Sequence, residues 1–590
     1  MVADILSTDL TSQYVLGPTV FAALMPGVSL TVEATTDPGV LASHDQNCSL
    51  TVLGNVVTFG TGALIGTTAT ATAFAAVTVG ETGLVQSLTG YGLDIRRSGS
   101  VVDNDGVISG GNAGLRYAAG VTGADVANSG TISSLLGSGI VVAGAAGGGT
   151  PGLFSFVNSG RIEAALQGVS VASESLDLTN HGAIVGFGTG ILLSDDPSLE
   201  NRLTLVNTGL IQGATVAVDA TGHDDSIANS GTLLGAVLLG DGDNLFDNSG
   251  LTQGAVTAGA GADEIFNTGT IAGAVALGAE ADVVTNSGRL EAGLDLGDGD
   301  DRLVNDGVIH GDVLLGDGGN TAWVGGEIHG SLIGGTGGES VEISGWLTGA
   351  VSLGDGADTL VIDGKVGAGI DLGTGSDVLR FAATARPGEG TWNGGSGVDR
   401  LVSRIDVEDS VNFEIITLKG GAALAVTADA INNTITGNRG SNEIDGGGGA
   451  DALAGLGGAD VLLGGSGADM IDGGRGADEL IGGLGADTLA GGLGRDSFIF
   501  ETLGDSRKKD PDHIVDFERG RDTVDLSAIG ETTFSWRGTR GFTESGVAEL
   551  RYKVDRHGVE LRIDADGDGR AEMTVLFDDL AGLGAVDFLL

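Results

Sequence analysis

GNRGSNEID GGGGADALA GLGGADVLL GGSGADMID GGRGADELI GGLGADTLA GGLGRDSFI, residues 437–499, is a run of seven nine-residue units. Each has the form glycine-glycine-any-glycine-any-aspartate-any-apolar-any, with small departures. The sixth position holds Asn442, Asp451, Asp460, Asp469, Asp478, Asp487 and Asp496, and the eighth holds Ile444, Leu453, Leu462, Ile471, Leu480, Leu489 and Phe498. A flexible glycine-rich linker would not hold an apolar residue at a fixed phase. The pattern therefore predicts one turn and one short strand per unit, two units to a coil, with the apolar residue in a shared core. Units two apart then stack, which puts Asp451, Asp469 and Asp487 on one edge and Asn442, Asp460, Asp478 and Asp496 on the other. Carboxylates at the strand spacing of about 4.8 Å repel by roughly 1 kcal/mol per pair even in water. A hard cation between them resolves that repulsion. The donors are all oxygens: the side chains above and the carbonyls of Gly446, Gly448, Gly464 and position 466 (a serine, Ser466), so calcium is the first candidate. Leu456 occupies a glycine position and Asn442 an aspartate position, and those two sites are expected to be the weaker ones.

At these residues the chain resembles the repeats-in-toxin (RTX) family, whose nonapeptides form a calcium-loaded parallel β-roll. Residues 411–443, VNFEIITLKGGAALAVTADAINNTITGNRGSNE, resemble the lead-in strands of such rolls. Residues 514–529, IVDFERGRDTVDLSAI, are similar to the region after the roll in serralysin-type secreted proteases. The resemblance covers roughly the last third of the chain. It implies a protein of Gram-negative bacteria exported in one step by type I secretion machinery that reads an uncleaved C-terminal signal. Asp587, Phe588, Leu589 and Leu590 look like the usual ending of such a signal, and they also read as the last strand of a capping domain.

Composition fits that reading. With 28 basic and 79 acidic residues the net charge is −51, which opposes a compact state unless cations screen or bind it, and argues against nucleic acid as a partner. Cys48 is the only cysteine, so no internal disulfide can form. The opening MVADILSTDLTSQYVLG lacks a basic leader and a long apolar run, so a cleaved signal is not expected, and no stretch reads as a transmembrane segment.

Upstream, glycine recurs every 19 residues from Gly231 to Gly364 and again from Gly240 to Gly373. Two aliphatic columns share the period. One runs Val237, Val256, Val275, Leu294, Val313, Leu332, Val351, Ile370, and the other Phe246, Ile265, Val284, Leu303, Ala322, Val341, Leu360, Leu379. The expectation is one small coil per unit, with two strands and two turns. Asn229, Asn248, Asn267, Asn286 and Asn305 form a column able to hydrogen-bond from coil to coil. An acidic column, Asn244, Asp263, Asp282, Asp301, Asn320, Glu339, Asp358 and Asp377, lies in turns such as LGDGDD (296–301) that look like shortened nonapeptides. It reads equally as a calcium file or as a solvated edge. A near-perfect nonapeptide head, GGSGVD (394–399), marks the end of the register.

Before Gly231 the asparagine-glycine phrase recurs at looser spacing, at Asn104, Asn128, Asn158, Asn180 and Asn207, which implies loops projecting from one flank. Enzyme chemistry is sparse. No histidine pair brackets a glutamate at metalloprotease spacing, no serine sits in a nucleophile elbow, and one cysteine with seven scattered histidines gives no zinc set. The one hint of a polysaccharide-modifying enzyme is Tyr91, Asp94 and Arg96, with Tyr117 and His181 elsewhere. DADGDGRAE (564–572) starts like an EF-hand loop, yet its twelfth position would be Val575, so it reads as a β-turn or as a calcium loop.

The sequence thus predicts an all-β chain: an elongated parallel β-solenoid of about 19 residues per coil, then a calcium-binding parallel β-roll, then a small β-rich C-terminal domain. The expected parts are residues 1–99 as N-terminal coils and cap, 100–390 as solenoid, 391–436 as connector strands, 437–500 as roll and 501–590 as capping and secretion-signal region. The expected function is that of a secreted calcium-binding surface, matrix or adhesive protein with no enzymatic activity, whose partners include extracellular polysaccharide or a cell surface. The alternative is a lyase or epimerase acting on extracellular polysaccharide.

Overall fold

The computed structural model describes residues 2–6, 8–16, 20–32, 38–42, 47–66, 75–144, 152–194, 200–529 and 534–590. The chain divides into two units, Met1–Thr321 with Gly325–Gly330, and Ala322–Val324 with Ser331–Leu590. Both are parallel β-solenoids. Among the described residues the helical content is a single short 3-10 turn, Ala585–Asp587, and no helix is long and apolar enough to cross a membrane.

The first unit carries three strands per coil, not the two expected from the 19-residue period. Glu264–Asn267, Thr270–Ile271 and Val275–Ala279 make one coil. They pair in parallel with Val283–Asn286, Arg289–Leu290 and Leu294–Asp298 of the next. The extra strand is two residues long, and its inward column of Ile271, Leu290 and Ile309 is fully buried beside the two predicted columns. Burial alternates along each longer strand, as a parallel sheet with one face on a core requires. The glycine after each asparagine serves close stacking here: a Cβ on Gly269 would collide with the carbonyl oxygen of Gly250 one coil earlier. Glycines of the acidic turns need their freedom for a different reason, Gly297 lying at φ +98°.

A buried asparagine ladder runs through this unit. Each amide donates to the side-chain oxygen one coil on, from Asn104 to Asn128 at 2.7 Å, through Asn158, Asn180, Asn207, Asn229, Asn248 and Asn267, to the last step from Asn286 to Asn305 at 2.7 Å. The sequence separation between rungs falls from 30 to 19 residues without breaking it. Insertions therefore leave the coil as loops, and the ladder holds the register.

The second unit shortens its coil. One sheet runs in unbroken parallel register through Thr359–Ile362, Val378–Phe381, Arg400–Ser403, Ile415–Leu418, Thr434–Thr436, Ala452–Ala454, Met470–Asp472, Thr488–Ala490 and Asp512–Ile514. The facing sheet begins at Ala425–Thr427 and passes through Glu443–Asp445, Val461–Ser466, Glu479–Leu484 and Ser497–Ile499 to Thr523–Asp525. The nonapeptide apolar column, Ile444 to Phe498, is buried between them. Three antiparallel strands, Glu549–Asp555, Gly558–Asp564 and Met573–Asp578, follow. The last of these pairs in parallel with Asp512–Ile514, and Phe588–Leu589 pairs with Thr523–Asp525.

Candidate metal centre

The nonapeptide carboxylates stack as the period requires. Each offers Oδ1 to the backbone N–H of the residue one coil earlier: Asp451 N–H to Asp469 at 2.8 Å, Asp469 N–H to Asp487 at 2.9 Å, Asp460 N–H to Asp478 at 2.9 Å, Asp478 N–H to Asp496 at 3.0 Å. Asn442 donates its N–H to Asp460 at 2.7 Å. These aspartates are at most 2 % exposed. The second oxygen, Oδ2, of Asp451, Asp460, Asp469, Asp478, Asp487 and Asp496 is buried and has no hydrogen-bond partner among the described residues. A repeated buried carboxylate oxygen with no donor is costly unless a cation meets it.

Backbone oxygens line the same place. A Cβ added to Gly446 would lie 2.7 Å from Asp451 Oδ2 and 2.8 Å from the carbonyl oxygen of Gly464. The glycine thus keeps open a cradle between a carboxylate and a carbonyl of the next coil. Ser466 belongs to the strand Val461–Ser466 beside it, and Gly448 bridges to Ser466 across one coil. Leu456, at a glycine position, is held at φ +71°, a left-handed conformation that strains a branched side chain. Burial raises the carboxyls of Asp451, Asp487 and Asp496 to about 6. A hard divalent ion in the cradle would stabilise the ionised forms and lower those values.

Two further aspartates extend the edges, and spacing alone did not find them. Asp487 N–H donates to Asp512 at 3.0 Å, and Asp496 N–H to Asp522 at 3.1 Å. The steps are 25 and 26 residues, outside the nonapeptide period. The signal that survives is an aspartate two places before a buried aliphatic, Ile514 or Val524. Asp512 Oδ2 has no hydrogen-bond partner among the described residues, and burial raises its carboxyl to about 8. Asp522 instead closes its file, its Oδ2 accepting the Glu518 N–H at 2.7 Å.

The family described as Peptidase M10 serralysin C terminal matches residues 222–588. The chain belongs to that family. Among solved structures, a subunit of the Azotobacter vinelandii mannuronan C5-epimerase is 28% identical over 29% of this chain and 84% of its own, with a TM-score of 0.19. A hyperactive, Ca2+-dependent, β-helical antifreeze protein from an Antarctic bacterium is 21% identical over 54% of this chain and 80% of its own, with a TM-score of 0.29. No curated protein matches. This member of the serralysin C-terminal family is an RTX-type, calcium-binding β-solenoid.

The remaining sequence candidates separate. Asp564, Asp566, Asp568 and Glu572 bring one ligand oxygen each to within 4.8 Å of one another, a geometry able to hold a metal ion. Glu572, in the ninth place of that loop, supplies the acid that Val575 cannot. Asp564 is already engaged with the N–H groups of Gly567 and Gly569, at 2.8 and 2.9 Å. The enzyme hint does not converge. Asp94 pairs with Arg96 at 3.0 Å and with Arg116 at 3.4 Å, and the Arg116 guanidinium stacks on Tyr91. Tyr117, however, is fully buried and packs edge-on against Phe154, and His181 bonds Thr208 at an exposed site.

Proposed function

We propose that this protein is exported unfolded by the one-step route its family resemblance implies, folds outside the cell when calcium fills the nonapeptide cradles, and serves there as a surface, matrix or adhesive component. The observation carrying the proposal is the pair of stacked files whose Oδ2 atoms are buried without a donor among the described residues: Asp451, Asp469 and Asp487 in one, Asp460, Asp478 and Asp496 in the other. Asn442 heads the second file, and the carbonyls of Gly446, Gly448, Gly464 and Ser466 complete an oxygen shell for an ion of calcium's size. The cell interior, poor in calcium, leaves those carboxylates repelling one another, which keeps the chain open for export.

A second reading rests on one cavity. A space of about 640 Å³ in the first unit is lined by Leu153, Ser175, Glu200, Arg202, His223 and Asp224. Arg202 suits the carboxylate of a sugar acid, and His223 with the two carboxylates Glu200 and Asp224 supplies acid–base groups, so a uronate polymer is the substrate to try. Incubating the calcium-loaded chain with mannuronate and guluronate polymers separates the two readings. The structural role predicts binding or no binding with polymer length and epimer ratio unchanged, and turnover would replace it with the enzymatic one.

A further inference from the structure

The acidic column of the 19-residue coils repeats the hydrogen bonding of the nonapeptide files. Asn244 N–H donates to Asp263 Oδ1 at 3.0 Å, Asp263 N–H to Asp282 at 2.8 Å, Asp282 N–H to Asp301 at 2.8 Å, and Asp301 N–H to the Asn320 side-chain oxygen at 2.9 Å. All five side chains are at most 2 % exposed. The edge is therefore not solvated. Its outer turn carboxylates, such as Asp241 and Asp243, are exposed and accept N–H groups of the next coil.

What differs from rung to rung is the second side-chain atom. At Asn244 that atom is Nδ2, which donates to the carbonyls of Gly240 and Gly242 at 3.4 and 2.9 Å. At Asn320 it donates to the carbonyls of Gly316 and Gly318 at 3.2 and 3.4 Å. At Asp225, one coil before Asn244, the atom is Oδ2, and Thr221 stands where the later coils have glycine. Its N–H and hydroxyl donate to that oxygen at 2.7 and 2.9 Å. Each of these three rungs closes itself with protein donors. Asp263, Asp282 and Asp301 have the same Oδ1 bond, so their Oδ2 stands where Asn244 and Asn320 place an NH2, toward the carbonyls two and four residues earlier. In all three it is buried without a hydrogen-bond partner among the described residues. Oxygen facing oxygen in a buried site needs a proton or a cation between them, and the ionised carboxylate needs the cation.

We infer that Asp263, Asp282 and Asp301 each hold a hard divalent cation, calcium by its oxygen-only donors, while Asn244, Asn320 and Asp225 are rungs sealed without one. The same rule assigns Asp358, Asp377 and Asp399 of the second unit, whose Oδ1 atoms accept the N–H one coil back at 2.7, 2.7 and 2.8 Å and whose Oδ2 atoms lack a partner among the described residues. An asparagine in the file is thus the uncharged substitute for an aspartate plus its ion.

The inference deepens the calcium reading proposed above, and counting ions on the full chain keeps the two apart. Calcium bound per chain, measured by native mass spectrometry or equilibrium dialysis at saturating millimolar calcium, is expected to fall by one ion for each aspartate changed in Asp263→Asn, Asp282→Asn and the combined variant with Asp301→Asn. The converse variant, Asn244→Asp, is expected to gain one ion and needs no loss of fold to be read. An unchanged count in both directions, with the chain still binding calcium elsewhere, overturns this inference alone. A wild-type chain that binds no calcium overturns both.

Discussion

The second carboxylate oxygen of each stacked aspartate is the atom on which the calcium reading rests. In every file aspartate except Asp225 and Asp522, Oδ1 is committed to a backbone N–H and Oδ2 is buried with no hydrogen-bond partner among the described residues. Without an ion such a carboxyl is easier to keep protonated: burial raises Asp451, Asp487 and Asp496 to about 6, Asp282 to about 7 and Asp512 to about 8. The unfolded chain's carboxyls titrate near about 4. A folded pKa raised above the unfolded one gives stability that is full below the unfolded value and is lost as pH rises through the folded value. Without calcium the roll is therefore expected to regain β-structure and a melting transition near pH ~5 that it lacks near pH ~8, where its carboxyls are ionised. Bound calcium favours the ionised form, so in millimolar calcium that preference disappears or reverses. Melting temperatures of metal-stripped and calcium-loaded protein at the two pH values check this. A metal-free chain equally stable at both would show that the file carboxyls are not desolvated as described.

At the scale of the coil, the buried asparagine ladder is the element that tolerates insertion. Asn267 accepts from Asn248 and donates to Asn286, both at 2.8 Å, at a position 1 % exposed. Asn267→Ala leaves the Asn286 oxygen without its ladder donor, at a cost of about 1–3 kcal/mol, while the Asn248 amide loses its best acceptor and keeps longer bonds to the carbonyls of Gly250 and Thr270 at 3.3 Å. Hydrogen exchange is expected to accelerate in the strands Leu245–Asn248, Glu264–Asn267 and Val283–Asn286 and to stay unchanged far along the unit; uniform or absent acceleration would contradict the ladder's local role. Much of this element was legible from sequence, because a period of 19 and a column of asparagines leave few ways to stack. The third strand was not. It is only two residues long, and its buried Ile271 and Leu290 follow directly on the asparagine-glycine turn, so no alternating pattern marks them as a strand. Asp512 and Asp522 escaped for a related reason: the coil lengthens to 25 and 26 residues there, and a reading tied to nine-residue spacing stops at Asp496. The sealed and open rungs of the 19-residue file could not be separated in advance, since that depends on which atom faces the turn carbonyls.

For the whole molecule, a net charge of −51 and a single cysteine leave neither charge balance nor disulfides to hold the fold. On the function proposed above, the files of buried carboxylates turn that deficit into a calcium requirement, and folding would then report the calcium level of the surroundings. The most direct test is far-ultraviolet circular dichroism of the full chain, with hydrogen exchange read over residues 437–512, after removal of calcium by a chelator and again after millimolar calcium is restored. The account predicts that β-structure and exchange protection in that span are lost in the chelator and recovered with calcium, while magnesium at the same concentration restores much less. A spectrum and protection pattern indifferent to calcium would contradict it.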